Sequence, residues 1–288
     1  MSILDIVDRK KSIKDPNGIW RVKRLPNTLE LANNREVWEN IYDYDVTKLI
    51  AEGNDFKKNK LKDHLSYVEN FYKFNKNTVY LEIGCGPAYI GDYLLKTYNC
   101  IFVGVDINYS MLITLKKLFE KNGYKKFILI HADINDLPIN DNGVDYIYGG
   151  GVIEHFSNTE HILQELFRVI RKGGVSFNSV PAFNLWWISR FFNNIPSAFI
   201  LKNIFEFLHI NLLKNKILNK YYGYELSFSL NKLISLHKRV GFSVIKVGPF
   251  AFHPSSSKTN NNILKEIYFK ISNNHITSPI YYIAATKL

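Results

Sequence analysis

Cysteine is nearly absent from this chain: 288 residues contain two, Cys85 and Cys100. That excludes a disulfide framework, and neither cysteine has the spacing of a thiolate metal site. Long apolar runs are missing as well. No stretch approaches about 18 uncharged apolar residues, so no spanning helix is expected. The opening segment MSILDIVDRKKSIKDPNG is charged from Asp5 onward and holds no signal-peptide core. A reduced, cytoplasmic setting is the expectation. Acidic side chains are outnumbered, 26 against 37 basic ones, leaving a formal net charge of +11. Such an excess suits nucleic acid or an anionic membrane. The lysines are scattered in clusters near 9–14, 57–62, 116–126 and 214–220, which favours a solvated basic surface.

What is present is apolar material: 46% of residues are hydrophobic, ample for one large α/β domain with additions. Val79 to Gly91 reads VYLEIGCGPAYIG. Val79, Leu81 and Ile83 suit a buried strand, and Tyr80 is a good strand former. Gly84 and Gly86 allow a tight turn with close approach of a ligand. From Pro87 the pattern becomes helical, through Ile90, Leu94 and Leu95. Strand, glycine turn and helix make a nucleotide-type pocket at the carboxyl end of a sheet, although a turn without a ligand has the same local pattern. A dinucleotide loop would need glycine at position 89, which is Tyr. Glu82 also disfavours a pyrophosphate and suits a cationic ligand.

Further strands are expected at Ile101–Val105, Phe127–His131, Tyr146–Tyr148, Val175–Val180, Phe242–Val247 and Ile280–Thr286. Asp106 follows the first of these, 22 residues after Gly84. Nucleotide-binding folds place a ribose acceptor at about that distance, and Asp106 could equally cap the helix at Asn108–Lys121. Asp133 reads as a site residue or as a turn residue. A helix is expected over Glu160–Arg171, with Gly173-Gly174 as its stop. Another is expected over Leu230–Val240, between a Ser229 cap and a Gly241 stop.

The loop resembles the E/D-x-G-x-G-x-G signature of class I S-adenosylmethionine-dependent methyltransferases, small-molecule group. Glu82, Gly84 and Gly86 match it, and Ala88 replaces the last glycine. VDYIYGGGVIEHF (Val144–Phe156) resembles that group's post-strand segment with its Glu-His string. RVIRKGGVSFNSVP resembles its R-x-L-K-P-G-G segment, with Lys172 where proline is usual. The likeness is close over 77–181 and looser over 222–288. It implies a three-layer Rossmann-like α/β fold whose seven-stranded, mostly parallel sheet ends in an antiparallel strand. A helical cap would occupy 1–75, and the cofactor-binding domain 76–288 would carry a lid insert at 183–222.

The resemblance implies S-adenosylmethionine as cofactor. Glu82 would hold its amino end, with Gly84, Cys85 and Gly86 in the loop, and Asp106 with Ile107 would lie at the ribose. Asp133 would accept from the adenine amino group, Ile134 would pack on the ring, and Gly149 and Gly150 would border the methyl end. The implied activity is methyl transfer to a small-molecule, glycan or lipid-linked acceptor, at oxygen. His155 is the first candidate for a base, near neutral pH, against a structural role for the same ring. Glu154, Tyr224, Glu225 and His209 follow as acceptor-side candidates. Some quinone-pathway relatives bind a metal with a further Glu three residues before the Glu-His pair. Gly151 stands there, so no metal is expected.

The N/D-P-P-Y/F string of base-amino methyltransferases is missing, as is the proline-cysteine nucleophile of cytosine-C5 enzymes, so a nucleic-acid partner is not expected. Two alternatives stand beside this reading: a basic RNA methyltransferase, and a non-catalytic subunit that binds the cofactor.

Before residue 75, helices are expected over Glu36–Ala51 and Leu61–Phe74 after a loop around Pro16–Pro26, with Trp38, Tyr42 and Tyr44 as cofactor-covering aromatics or plain core. The insert carries Leu201, Ile204, Phe205, Leu208 and Leu212 on one helical face, and Trp186, Trp187, Phe191 and Phe192 nearby. A lid that shapes the acceptor site is favoured. A peripheral membrane contact is the second reading.

Overall fold

A computed structural model describes residues 5–23, 55–187, 197–198, 225–251 and 261–288. Short apolar runs, buried on both faces of the sheet at its centre, produce the expected strands. They are β3 (Val79–Ile83), β4 (Ile101–Asp106), β5 (Phe127–His131), β6 (Val144–Gly150), β7 (Ile170–Pro181), β10 (Ser243–Pro249) and β11 (Ile280–Thr286). Two short strands, β1 (Ser12–Lys14) and β2 (Trp20–Val22), join them in one nine-stranded sheet of order β1-β2-β5-β4-β3-β6-β7-β11-β10. The run from β2 through β7 is parallel. β11 is antiparallel to both β7 and β10. The seven strands from β5 to β10 are the expected sheet, and the hairpin extends it at one edge. A separate pair joins β8 (Ser197–Ala198) to β9 (Leu226–Ser227).

Helices cover both faces. α1 (Asp55–Phe71), α2 (Tyr89–Tyr98) and α3 (Tyr109–Lys121) lie over one core, built on Tyr80, Phe102, Tyr146, Phe177, Leu94 and Leu115. α4 (Thr159–Val169) and α5 (Leu230–Val240) lie over the other, built on Leu81, Val103, Ile147, Leu163, Leu166 and Leu233. Odd and even residues of β3 supply opposite cores, as strand period requires. A further helix, α6 (Asn262–Ser272), precedes β11.

Several local expectations are corrected. The segment around Pro16 is a hairpin, closed where the Asp15 carbonyl accepts from Gly18 N–H and the Asp15 carboxylate from Ile19 N–H. The helix expected over Leu61–Phe74 runs instead over Asp55–Phe71. Gly173-Gly174 does not stop a helix. α4 ends at Val169, and β7 starts at Ile170 with a register shift against β6 that takes up the two glycines. Ser229 and Gly241 do bound α5. The helix expected at Glu36–Ala51, with Trp38, Tyr42 and Tyr44, lies outside the described residues, as do Tyr224, His209 and most of the 183–222 insert.

Candidate functional site

β3 has β4 on one side and β6 on the other, so the chain's crossovers leave a crevice at its carboxyl end. There Gly84, Gly86 and Ala88 all take left-handed backbone, with φ of 57°, 45° and 48°. Only glycine adopts this without strain, so Ala88, fully buried ahead of α2, costs roughly 1–2 kcal/mol. A Cβ on Gly84 would stand 2.9 Å from a Val152 methyl, so a side chain there would have to displace Val152 as well as accept the left-handed backbone.

Glu82 lies in this crevice with 6% of its surface exposed. Its Oε2 accepts from Gly91 N–H in the first turn of α2 and from the Tyr80 hydroxyl, both at 3.1 Å. Burial pushes its carboxyl up to about 8, against the pull of those two donors. Such a carboxyl is suited to a cation, which would restore its charge.

Asp106 ends the neighbouring strand. One oxygen accepts from Gly86 N–H at 2.7 Å and the other from Asn108 N–H at 2.8 Å. It therefore ties the glycine loop to β4. It is not the cap of α3, a role taken by Asn108, whose side chain accepts from Met111 N–H. Burial raises the Asp106 carboxyl, and the backbone donors oppose that shift. Ile107 is half-buried, and its carbonyl lies 3.0 Å from His131 Nε2.

Asp133 is buried, and its Oδ1 accepts from both the backbone and the side-chain N–H of Asn135. The turn role thus holds structurally. Ile134 belongs to the α4–α5 core. Cys85 is buried, and burial drives its thiol well above the ordinary range, which leaves it unfit as a nucleophile.

The crevice closes on its other side with β6. Gly149 and Gly150 have protein reasons for lacking a side chain. A Cβ would meet Asn178 Oδ1 at 2.4 Å on the first and the Tyr148 hydroxyl at 2.3 Å on the second. Ligand approach is not needed to explain them. Glu154 and His155 sit in a short 3-10 turn, Ile153–His155, both buried, with His155 N–H donating to the Val152 carbonyl.

The insert leaves and returns beside this turn. Ala182 bridges Phe228, Phe183 N–H donates to the Phe228 carbonyl, and β9 contacts the turn itself. Among the described residues, no group of three or more His, Cys, Asp or Glu could hold a metal, and no helix is long and apolar enough to cross a membrane. One residue that sequence reasoning passed over is Tyr148, the register partner of Glu82. Its only signal was a third tyrosine at strand spacing after Tyr80 and Tyr146.

Residues 81–177 match the family model described as Methyltransferase domain. Malonyl-[acyl-carrier protein] O-methyltransferase of Buchnera aphidicola subsp. Baizongia pistaciae is 27% identical over 188 residues, 63% of this chain and 71% of that protein. The sterol 24-C-methyltransferase of Schizosaccharomyces pombe is 22% identical over 54% of this chain, which spans only 43% of that protein. Geranyl diphosphate C-methyltransferase of Streptomyces coelicolor A3(2), solved with S-adenosyl-L-homocysteine, superposes with a TM-score of 0.61 at 11% identity. That superposition covers 91% of this chain and all of the other. The chain thus has the class I Rossmann-like fold of S-adenosylmethionine-dependent methyltransferases, and S-adenosylmethionine is the cofactor that fold and relatives support.

Proposed function

We propose that the chain transfers a methyl group from S-adenosylmethionine to the oxygen of a small-molecule, glycan or lipid-linked acceptor. The observation that carries this is the buried Glu82 carboxyl beside a left-handed glycine loop, raised to about 8 where a cation would lower it. Glu82 would hold the cofactor's amino end, and Asp106 with Ile107 its ribose. Asp133 and Ile134 would hold the adenine, with Gly84, Cys85, Gly86, Gly149 and Gly150 as backbone walls. Asp106 accepts from the Gly86 and Asn108 N–H groups, one on each oxygen, and each carboxylate oxygen can accept twice.

When bound, the cofactor supplies a methyl already activated on a sulfonium, so alignment is the main requirement. His155 would take the acceptor hydroxyl's proton on an imidazole nitrogen, with Glu154 of the same turn and Tyr224 as further acceptor-side residues. The meeting of the chain on either side of the insert, at Ala182 and Phe228 beside that turn, supports a lid over the acceptor. The similarity to enzymes named for a carrier-linked malonyl group, a sterol and geranyl diphosphate supports apolar or carrier-linked acceptors. Incubation with methyl-labelled S-adenosylmethionine and separated lipid, small-molecule and RNA fractions tests this. Label is expected in one of the first two and lost in His155→Ala. Label in RNA alone would contradict the acceptor class.

A further inference from the structure

Tyr148 pairs with Glu82 across the β3–β6 boundary, and both side chains lie on the α1–α2 face of the sheet, with Tyr80. Its ring stacks on Phe177 at 5.8 Å and 4°. Its hydroxyl lies over the carboxyl end of β6, where the lack of a side chain at Gly150 makes room. There it meets Nδ1 of His64, from α1, at 2.6 Å. Packing on Phe177 needs only a ring, yet the hydroxyl is accommodated by one residue and met by another.

We propose that Tyr148 and His64 complete the clamp for the amino-acid end of the cofactor. The Tyr148 oxygen binds beside Glu82, and His64 is the positioning residue that aims it. This rests on the cofactor site described above. An ammonium group brings three donors. Glu82 Oε2 already accepts two protein hydrogens, which leaves mainly Oε1 for that group, and a neutral oxygen nearby shares the remaining donors. Where His64 Nδ1 takes the phenolic proton, the phenol's lone pairs are left for that donor. Burial and the charge on Glu82 keep the phenol protonated far above neutral pH. Because His64 belongs to α1, the clamp also joins that covering helix to the pocket floor.

Calorimetric titration with S-adenosylmethionine, S-adenosylhomocysteine and adenosine separates this from a packing role. In Tyr148→Phe and His64→Leu, affinity for the first two is expected to fall about tenfold or more, as for a lost hydrogen bond to a charged group. Adenosine, which lacks the amino-acid end, is expected to bind as it does to the wild type. His64→Gln, which keeps an acceptor, is expected to recover part of the loss. Equal losses for all three ligands, or no loss for any, would overturn the clamp while leaving the cofactor assignment intact. Absence of S-adenosylmethionine binding in the wild type would remove that assignment, and the clamp with it.

Discussion

A carboxyl held near 8 inside the core makes Glu82 a liability for folding and, in its proposed role, an asset for binding. An unfolded glutamate titrates near 4.3. Between that value and about 8 the native state binds more protons than the unfolded chain, so stability falls as pH rises through this window. Glu82→Gln is therefore expected to be more stable than the wild type at pH 8, by about 1 kcal/mol or more, with no advantage near pH 4. Chemical denaturation at both pH values checks this. Binding has the opposite dependence. A cation favours the ionised carboxyl, so affinity for S-adenosylmethionine should rise with pH up to about 8, by at most about tenfold per unit. Glu82→Gln should flatten the profile.

At this scale the sequence was partly legible. Glu82 was readable because a charge inside an apolar strand is conspicuous. The division of labour between Asp106 and Asn108 was not, since both are good capping types and the outcome depends on where Gly86 N–H lies. The close neighbours of Gly149 and Gly150, Asn178 and Tyr148, were not readable for a related reason: they come from side-chain placement that no local pattern records.

Among the elements, α5 carries its own pH dependence. His237 is fully buried, its Nδ1 2.9 Å from the Leu233 carbonyl, and burial lowers it to about 4. An unfolded histidine titrates near 6.5 and binds its proton first, so stability falls as pH drops from about 6.5 to 4. His237→Gln should remove that slope, seen as a melting temperature less sensitive to acid.

The β1–β2 hairpin is fixed by side chains rather than by strand length. The Tyr109 hydroxyl donates to Asp15 at 2.5 Å and accepts from Asn17 at 2.9 Å, while the Arg21 guanidinium lies 4.9 Å over its ring. Tyr109→Phe keeps the ring and loses both hydrogen bonds, for about 1 kcal/mol. Hydrogen exchange is expected to quicken in residues 12–22 and to stay unchanged in β3. Strands of three residues are too short to show a period, which is why this hairpin read as a loop. Helices with strong stops, such as α5, were legible from cap residues alone.

For the whole molecule, the order of apolar runs along the chain carried the sheet. Seven runs with glycine or acidic residues at their ends leave few arrangements once crossovers are right-handed. The two edge strands added in the structure do not alter the crevice at β3. The region proposed for the acceptor was less legible, because Ala182, Phe183 and Phe228, which meet there, lie far apart in the sequence. Everything functional nonetheless depends on one premise, that the crevice beside Glu82 takes a cationic nucleoside. The most direct measurement is a calorimetric titration of wild type and Glu82→Gln with S-adenosylmethionine at pH 7, repeated in two buffers of different ionisation enthalpy. One-to-one binding with proton release is expected for the wild type, and binding at least about tenfold weaker, without that release, for Glu82→Gln. No binding by the wild type, or equal binding by both proteins, would contradict that premise.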